Sequence, residues 1–210
     1  MIQQLSMERT KACWEKTDMI FTRKDLHEYL NADAKANART SSKPRLFGDE
    51  IWKYIVLLRK TEYYTNRKAM LPKSVSPMRI FCKFRLHRMG MKLGYSIPIN
   101  VIGKGLSLVH QGTIVIAGGA RIGENCRIHE GVTVGATNGS DKAAVIGNNV
   151  FIASGAKIIG DVSIADDVAI AANAVVVKSI TEKGTTWGGV PAVKISSNDS
   201  HSNLSKLLFG

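Results

Sequence analysis

The chain has 210 residues, and its 29 Lys and Arg against 17 Asp and Glu give a formal charge of +12. That length allows one domain or two small ones with a core that needs no disulfides, and a hydrophobic share of 44% excludes a disordered chain. No apolar run approaches about 18 residues, no apolar h-region follows the N-terminus, and Cys13, Cys82 and Cys126 suit neither a disulfide framework nor a zinc site, so a soluble cytoplasmic protein is expected.

Residues 1–94 hold 20 basic and 9 acidic side chains, whereas residues 95–210 hold 9 and 8. The charge excess therefore belongs to the N-terminal region, which reads as helical. A helix is predicted over 23–36 behind Thr22 as N-cap, and a second over 49–64, where Ile51, Tyr54, Ile55, Leu58 and Glu62 share a stripe beside Trp52. Ser76-Pro77 is an N-cap followed by proline at the first helical position, and the helix it opens should stop at Gly94. Arg79, Lys83, Arg85, Arg88 and Lys92 lie on that helix. They invite a nucleic-acid or membrane-surface reading. No nucleic-acid motif is present, so a small anionic ligand or peripheral membrane association is preferred. Residues 1–20 and 38–47 are expected to be loose arms.

From Ile116 a period of six emerges. Ile116, Ile122, Ile128, Val134, Ile146, Ile152, Ile158, Ile164, Ile170 and Val176 all fall on it, and only Ser140 interrupts. Two residues earlier stand mostly small or β-branched residues, such as Ala120, Cys126, Val132, Val150 and Ala174. Positions two apart share a strand face, so both columns point inward. Three residues after each Ile or Val stand Gly119, Asn125, Gly131, Asn149, Gly155, Asp161, Asp167 and Asn173, residue types that suit tight corners. Each hexad is then a short strand and a turn, and three hexads close a triangular coil. Crossover helices of an α/β sheet have no room between these corners. The fold class is mainly β: a parallel β-helix of hexapeptide repeats, residues 95–195, with a helical region 1–94 before it and a polar, peripheral tail 196–210 after it.

All columns lapse together around Ser140, so Gly135–Ala144 reads as a loop leaving the helix, a place where function tends to sit. His129 puts a bulky imidazole into a column otherwise occupied mostly by small residues such as Gly123, Gly135 and Gly147. Gly135, Ala153 and Ala171, at 18-residue spacing, should stack along one edge that carries almost no side chain.

The hexads, the segment Gly105-Leu-Ser-Leu-Val-His110-Gln-Gly-Thr-Ile-Val115 and the closure Gly188-Gly-Val-Pro-Ala192 resemble the hexapeptide-repeat acyltransferases, in particular their serine acetyltransferase-like branch. The resemblance implies a left-handed coil, a homotrimer, and acetyl-CoA as donor bound between subunits. It makes His110 the catalytic base; His129, out of pattern in its column and on an adjacent coil, is the second catalytic candidate, with Glu130 available to orient either ring. It also gives the edge Gly135, Ala153 and Ala171 to the pantetheine arm, and the position of Lys178 and Lys194 toward the C-terminal end makes them candidates for CoA phosphates. No metal is expected: a zinc hydratase on this fold needs about three histidines, and the repeat region offers two.

The sequence departs from that branch at three places. Val109 stands where Asp precedes the catalytic His. Tyr95-Ser-Ile-Pro98 lacks the acid of the Asp-Ile-His-Pro-like stretch, and Lys142-Ala-Ala144 lacks a second His. An ammonium without a counter-charge is costly to bury, so a sugar hydroxyl of a surface polysaccharide or its precursor is the favoured acceptor. Free serine is the alternative, and a non-catalytic scaffold the reading of another class.

Overall fold

A computed structural model describes residues 19–70 and 76–209; the arm expected over 1–20 lies outside the described residues as far as residue 18. Helix α1, Arg23–Ala36, begins with a capping box: the Thr22 hydroxyl accepts from the Asp25 N–H, and the Asp25 carboxylate accepts from the Thr22 N–H. Helix α2, Glu50–Met70, runs past the expected end at Tyr64, because no Gly or Pro interrupts before Pro72. Helix α3, Pro77–Leu93, keeps its expected limits, with Ser76 capping the N-terminus and Gly94 closing it in the left-handed region at φ 81°.

The segment expected as a loose arm over 38–47 is pinned to the start of α2. Arg39 forms two hydrogen bonds to Asp49, at 2.8 and 2.7 Å, Trp52 Nε1 donates to the Ser42 carbonyl, and Lys53 Nζ donates to the Leu46 carbonyl. These side-chain anchors have no periodic signature.

Beyond Gly94 the chain winds into a left-handed β-helix with three parallel faces. The first stacks β1 (Tyr95–Ser96), β3 (Ile114–Ile116), β6 (Thr133–Gly135), β9 (Lys157–Ile159) and β12 (Val175–Val176). The second stacks β4 (Arg121–Ile122), β7 (Val145–Ile146) and β10 (Ser163–Ile164). The third stacks β2 (Ser107–Leu108), β5 (Arg127–Ile128), β8 (Phe151–Ile152), β11 (Ala169–Ile170) and β13 (Thr186–Gly188), and β14 (Val193–Ser196) folds back antiparallel on β13. Ile122, Ile128, Val134, Ile152, Ile158, Ile164 and Ile170 are wholly buried in the prism, with Ala120, Cys126, Val132, Val150, Val168 and Ala174 beside them. Asn125, Gly131, Asn149, Gly155, Asp167 and Asn173 all have positive φ at the corners, which explains their residue types.

Coil length varies along the helix, most of all after Gly135. Ser163 pairs with Val145, the ordinary 18-residue coil, but Arg127 pairs with Phe151 and Thr133 with Lys157. The excursion after Gly135 therefore adds six residues, one whole hexad, and the six-residue phase survives while the stacking shifts by a face. Its middle is exposed, and Ala143 and Ala144 return to the core. The first coil is also long: Ser107 pairs with Arg127 and Leu108 with Ile128, so two extra residues enter near His110.

A buried ion network ties the helices to the first coil. Arg59 of α2 is fully buried; it donates to Asp33 of α1 at 2.7 Å, to Glu62 at 3.1 Å, and to the carbonyls of Ile102 and Gly103. Asp33 also accepts from the Gly105 and Leu106 N–H groups, and Glu62 from the Asn100 N–H. Burial drives the Glu62 carboxyl above its ordinary range, against the pull of Arg59.

The tail is not peripheral. Asn125 donates to Asn149 and Asn149 to Asp167, a ladder along one corner, and His201 Nε2 meets its last carboxylate at 2.8 Å. Ser200 Oγ donates to the Asn149 carbonyl, and Ser200 and Leu204 are buried. Polar composition misled here because those polar groups satisfy the end of the ladder.

Candidate active site

His110 follows β2 within the long first coil. Its carbonyl accepts from the Tyr95 hydroxyl at 2.7 Å, and its ring is exposed. It lines a cavity of about 600 Å³ together with Asn37, Arg39, Asp49, Trp52 and Gln111. Arg39 comes from the segment expected as an arm over 38–47, and Asn37 and Asp49 flank it; only the fold of this segment over the first coil brings the three side chains to the cavity.

The two-residue insertion sets which side chains stack. With Leu108 opposite Ile128 and the Val109 N–H donating to the Ile128 carbonyl, Val109 lies under His129; Gly112 lies against Glu130, which leaves His110 and Gln111 as the two extra residues between them. The His110 and His129 rings meet edge to face with centroids 5.8 Å apart, and His129 also meets Phe151 at 5.2 Å. His129 Nδ1 lies 3.4 Å from Ser154 Oγ. Burial, with the charges of Arg127 and His110 adding, holds the His129 imidazole below its ordinary value, against the opposing carboxylate of Glu130. Hydrogen bonding with Ser154 and the nearby imidazoles keep the Glu130 carboxyl low. His129 is thus a neutral imidazole at pH 7 and Glu130 an anion. His129 Nε2 and Glu130 Oε2 are buried atoms without a hydrogen-bond partner among the described residues, as expected where a bound group supplies the partner.

One ligand atom each from His110, His129 and Glu130 lies within 4.8 Å of the others. Glu130 thereby supplies the third donor that a count of histidines missed, and the set is of a type that zinc accepts.

The expected edge of small residues is only partly present. Ala153 stacks over His129 and Ala171 over Ala153, since their N–H groups follow the same ladder to Ile170 and Trp187. Gly135 does not join them: it pairs with Ile159 on the first face, because the added hexad moved its column. Gly188 continues the small column instead, with room above Ala171 only for a glycine or a shifted neighbour. Lys178 is exposed just beyond β12, on the same face as Gly135 and away from Ala153 and Ala171. Lys194 is paired with Glu182. The structure thus brings His110 and His129 together, sets Ala153 and Ala171 in line with them, and leaves Gly135 and Lys178 along another edge.

Comparison with known proteins agrees with this architecture. Residues 143–178 match the family model of the bacterial transferase hexapeptide (six repeats). A serine acetyltransferase of Staphylococcus epidermidis is 34% identical over 145 residues, 67% of this chain and 61% of that protein. The chain thus spans about three fifths of the length of the curated relatives it matches. The crystal structure of serine acetyltransferase from Brucella abortus superposes with a TM-score of 0.65 at 26% identity, covering 84% of this chain and 71% of that one. The same enzyme in complex with coenzyme A superposes with a TM-score of 0.62 at 24% identity, over 84% and 70%, a likeness of fold. The chain is a left-handed β-helix protein that carries the bacterial transferase hexapeptide repeat and is homologous to the serine acetyltransferases.

Proposed function

We propose that this chain is an acetyl-CoA-dependent O-acetyltransferase with His110 as general base. The observation that carries the reading is the grouping of His110, which lines a cavity, with His129 and Glu130, and the line of small residues Ala153, Ala171 and Gly188 that continues from His129. An imidazole of His110 takes the proton of an acceptor hydroxyl as its oxygen attacks the thioester carbonyl. The tetrahedral intermediate then collapses, and the departing thiolate takes the proton from the imidazolium. Glu130 favours that imidazolium by its negative charge. The edge over His129 presents backbone with little side chain, which suits an extended pantetheine arm. A homotrimer and a cytoplasmic location, where acetyl-CoA reaches the site, belong to the same reading.

Serine is the first acceptor to consider, because the relatives are named for it. The counter-charge that the segment around Val109 lacks has a substitute: Glu50 lines the cavity and makes no ion pair among the described residues, whereas Asp49 is committed to Arg39. The second reading is a sugar hydroxyl. A cavity of about 600 Å³ lies in the range that holds ligands far larger than one amino acid.

The test is release of CoA thiol from acetyl-CoA with serine, nucleotide sugars and oligosaccharides as separate acceptors. Turnover with one of them identifies the acceptor class. Absence of CoA binding would overturn the assignment in favour of an idle scaffold.

A further inference from the structure

Helix α3 buries one side and exposes an unusual other. Cys82, Leu86, Met89, Gly90 and Leu93 pack inward toward α2 and β1. On the opposite side Ile80, Phe84 and Met91 are 61%, 59% and 75% exposed, at positions that share one helical stripe. Phe81 and Met78 extend the apolar surface, also about half exposed. Soluble surfaces seldom carry a run of large apolar side chains like this without a use for it.

The cations border that stripe. Lys83 lies along one edge, and Arg85, Arg88 and Lys92 along the other, all exposed. The Arg85 guanidinium sits 5.5 Å from the Phe81 ring centre and Arg88 5.8 Å from that of Phe84. Residues 77–93 contain no Asp or Glu. An outward apolar strip flanked by long cationic side chains is the arrangement of a helix lying in a membrane interface, where the rings enter the acyl boundary and the cations reach headgroup phosphates.

We propose that α3 is a docking surface for an anionic phospholipid membrane. Charge complementarity selects this occupant: a second copy of α3 would bring five cations against five, with no acid on the helix to offset them. The helix ends at the site as well, for the Leu93 carbonyl accepts from the Gly112 N–H, two residues past His110. The docked face thereby holds the cavity close to the membrane surface.

The experiment is co-sedimentation of the full chain with vesicles of phosphatidylcholine, with and without phosphatidylglycerol. Binding should require the anionic lipid and weaken with added salt. Arg85→Glu with Arg88→Glu should lower the partition coefficient at least about tenfold, taking the contribution of each surface cation as about 1 kcal/mol. Phe84→Ser with Ile80→Ser should lower it by a similar factor at unchanged thermal stability, since neither side chain is part of the core. Acetyl-CoA turnover without lipid, measured in parallel, should not change in these variants. Equal binding to neutral vesicles, or binding indifferent to both pairs of substitutions, would overturn the proposal. So would self-association that the same substitutions abolish, which would give the face to a second copy.

Discussion

His110 and His129 meet edge to face with ring centroids 5.8 Å apart, yet they do not occupy the same column. The first coil, with an offset of 20 residues where 19 would align them, is one residue too long for that. Val109 takes the place under His129, Gly112 lies against Glu130, and His110 and Gln111 are the two extra residues between them. The insertion thus lets the proposed base bulge from the ladder to where one ligand atom each of His110, His129 and Glu130 lies within 4.8 Å of the others.

His110→Ala should therefore lower kcat by about 10² or more, the usual contribution of general base catalysis, with little change in the KM for acetyl-CoA. Glu130→Gln should lower kcat less and shift the pH dependence of kcat/KM, because it removes the charge and keeps the shape. The same assay with and without a chelator tests the role of the three-donor set. If turnover is lost on chelation and restored by zinc, the His, His, Glu cluster acts as a metal site and not as a base and its partner.

His129 makes stability depend on pH. Its folded-state value lies below the ordinary 6.5, chiefly through burial. Between those two values the unfolded chain holds more protons than the folded one, so stability rises with pH through that window. The contribution is fully present above about pH 6.5 and is lost as the pH falls through the lowered value. Urea midpoints measured from about pH 5 to pH 8 should show a steeper acid-side decline for the natural chain than for His129→Gln. Parallel profiles for the two would mean that His129 is no more buried than in the unfolded chain.

The repeat was legible because a prism of stacked coils imposes the same demand at every sixth residue: a buried branched side chain, then a corner that tolerates positive φ. His129 stood out against that demand. What the period could not show was coil length. The excursion after Gly135 adds one hexad, so the phase continues from Val134 to Ile146 as though nothing had intervened, and an 18-residue count set Gly135 on Ala153 when it pairs with Ile159. The cavity beside His110 was illegible for another reason. Arg39 and Asp49 are placed by their mutual ion pair and by Trp52 reaching the Ser42 carbonyl, contacts between residues that follow no pattern in the chain.

The excursion is held by a close backbone approach. A Cβ at Gly119 would run into the Asp141 carbonyl oxygen, so only glycine allows the returning strand of the loop to lie against that corner. Gly119→Ala should release the loop without unwinding the coils, whose ladder continues on both sides. Limited proteolysis is the measurement: cleavage within 136–142 should accelerate in the variant, while the β-helix resists as before. Unchanged cleavage would show that the loop is held by something other than this contact.

The buried Arg59 is the joint between the helices and the β-helix, and its removal tests how much the joint contributes. Asp33 and Glu62 flank one guanidinium that has no access to water, and the Ile102 and Gly103 carbonyls take its remaining N–H groups. Arg59→Ala leaves two carboxylates and two carbonyls buried without their donor, a loss of about 3–5 kcal/mol. Converted at about 2–4 °C per kcal/mol for a chain of this size, the melting temperature should fall by roughly 6–20 °C. Arg59→Met with Asp33→Asn and Glu62→Gln should recover a large part of the loss, because replacing a whole buried ion group by neutral side chains costs far less than breaking it. Asp33 would still accept from the Gly105 and Leu106 N–H groups through its amide oxygen in that triple variant, so the first coil keeps its anchor. If the single and triple variants melt together, the charges are not coupled, and the joint depends on the packing of Trp52, Ile55 and Leu58 alone.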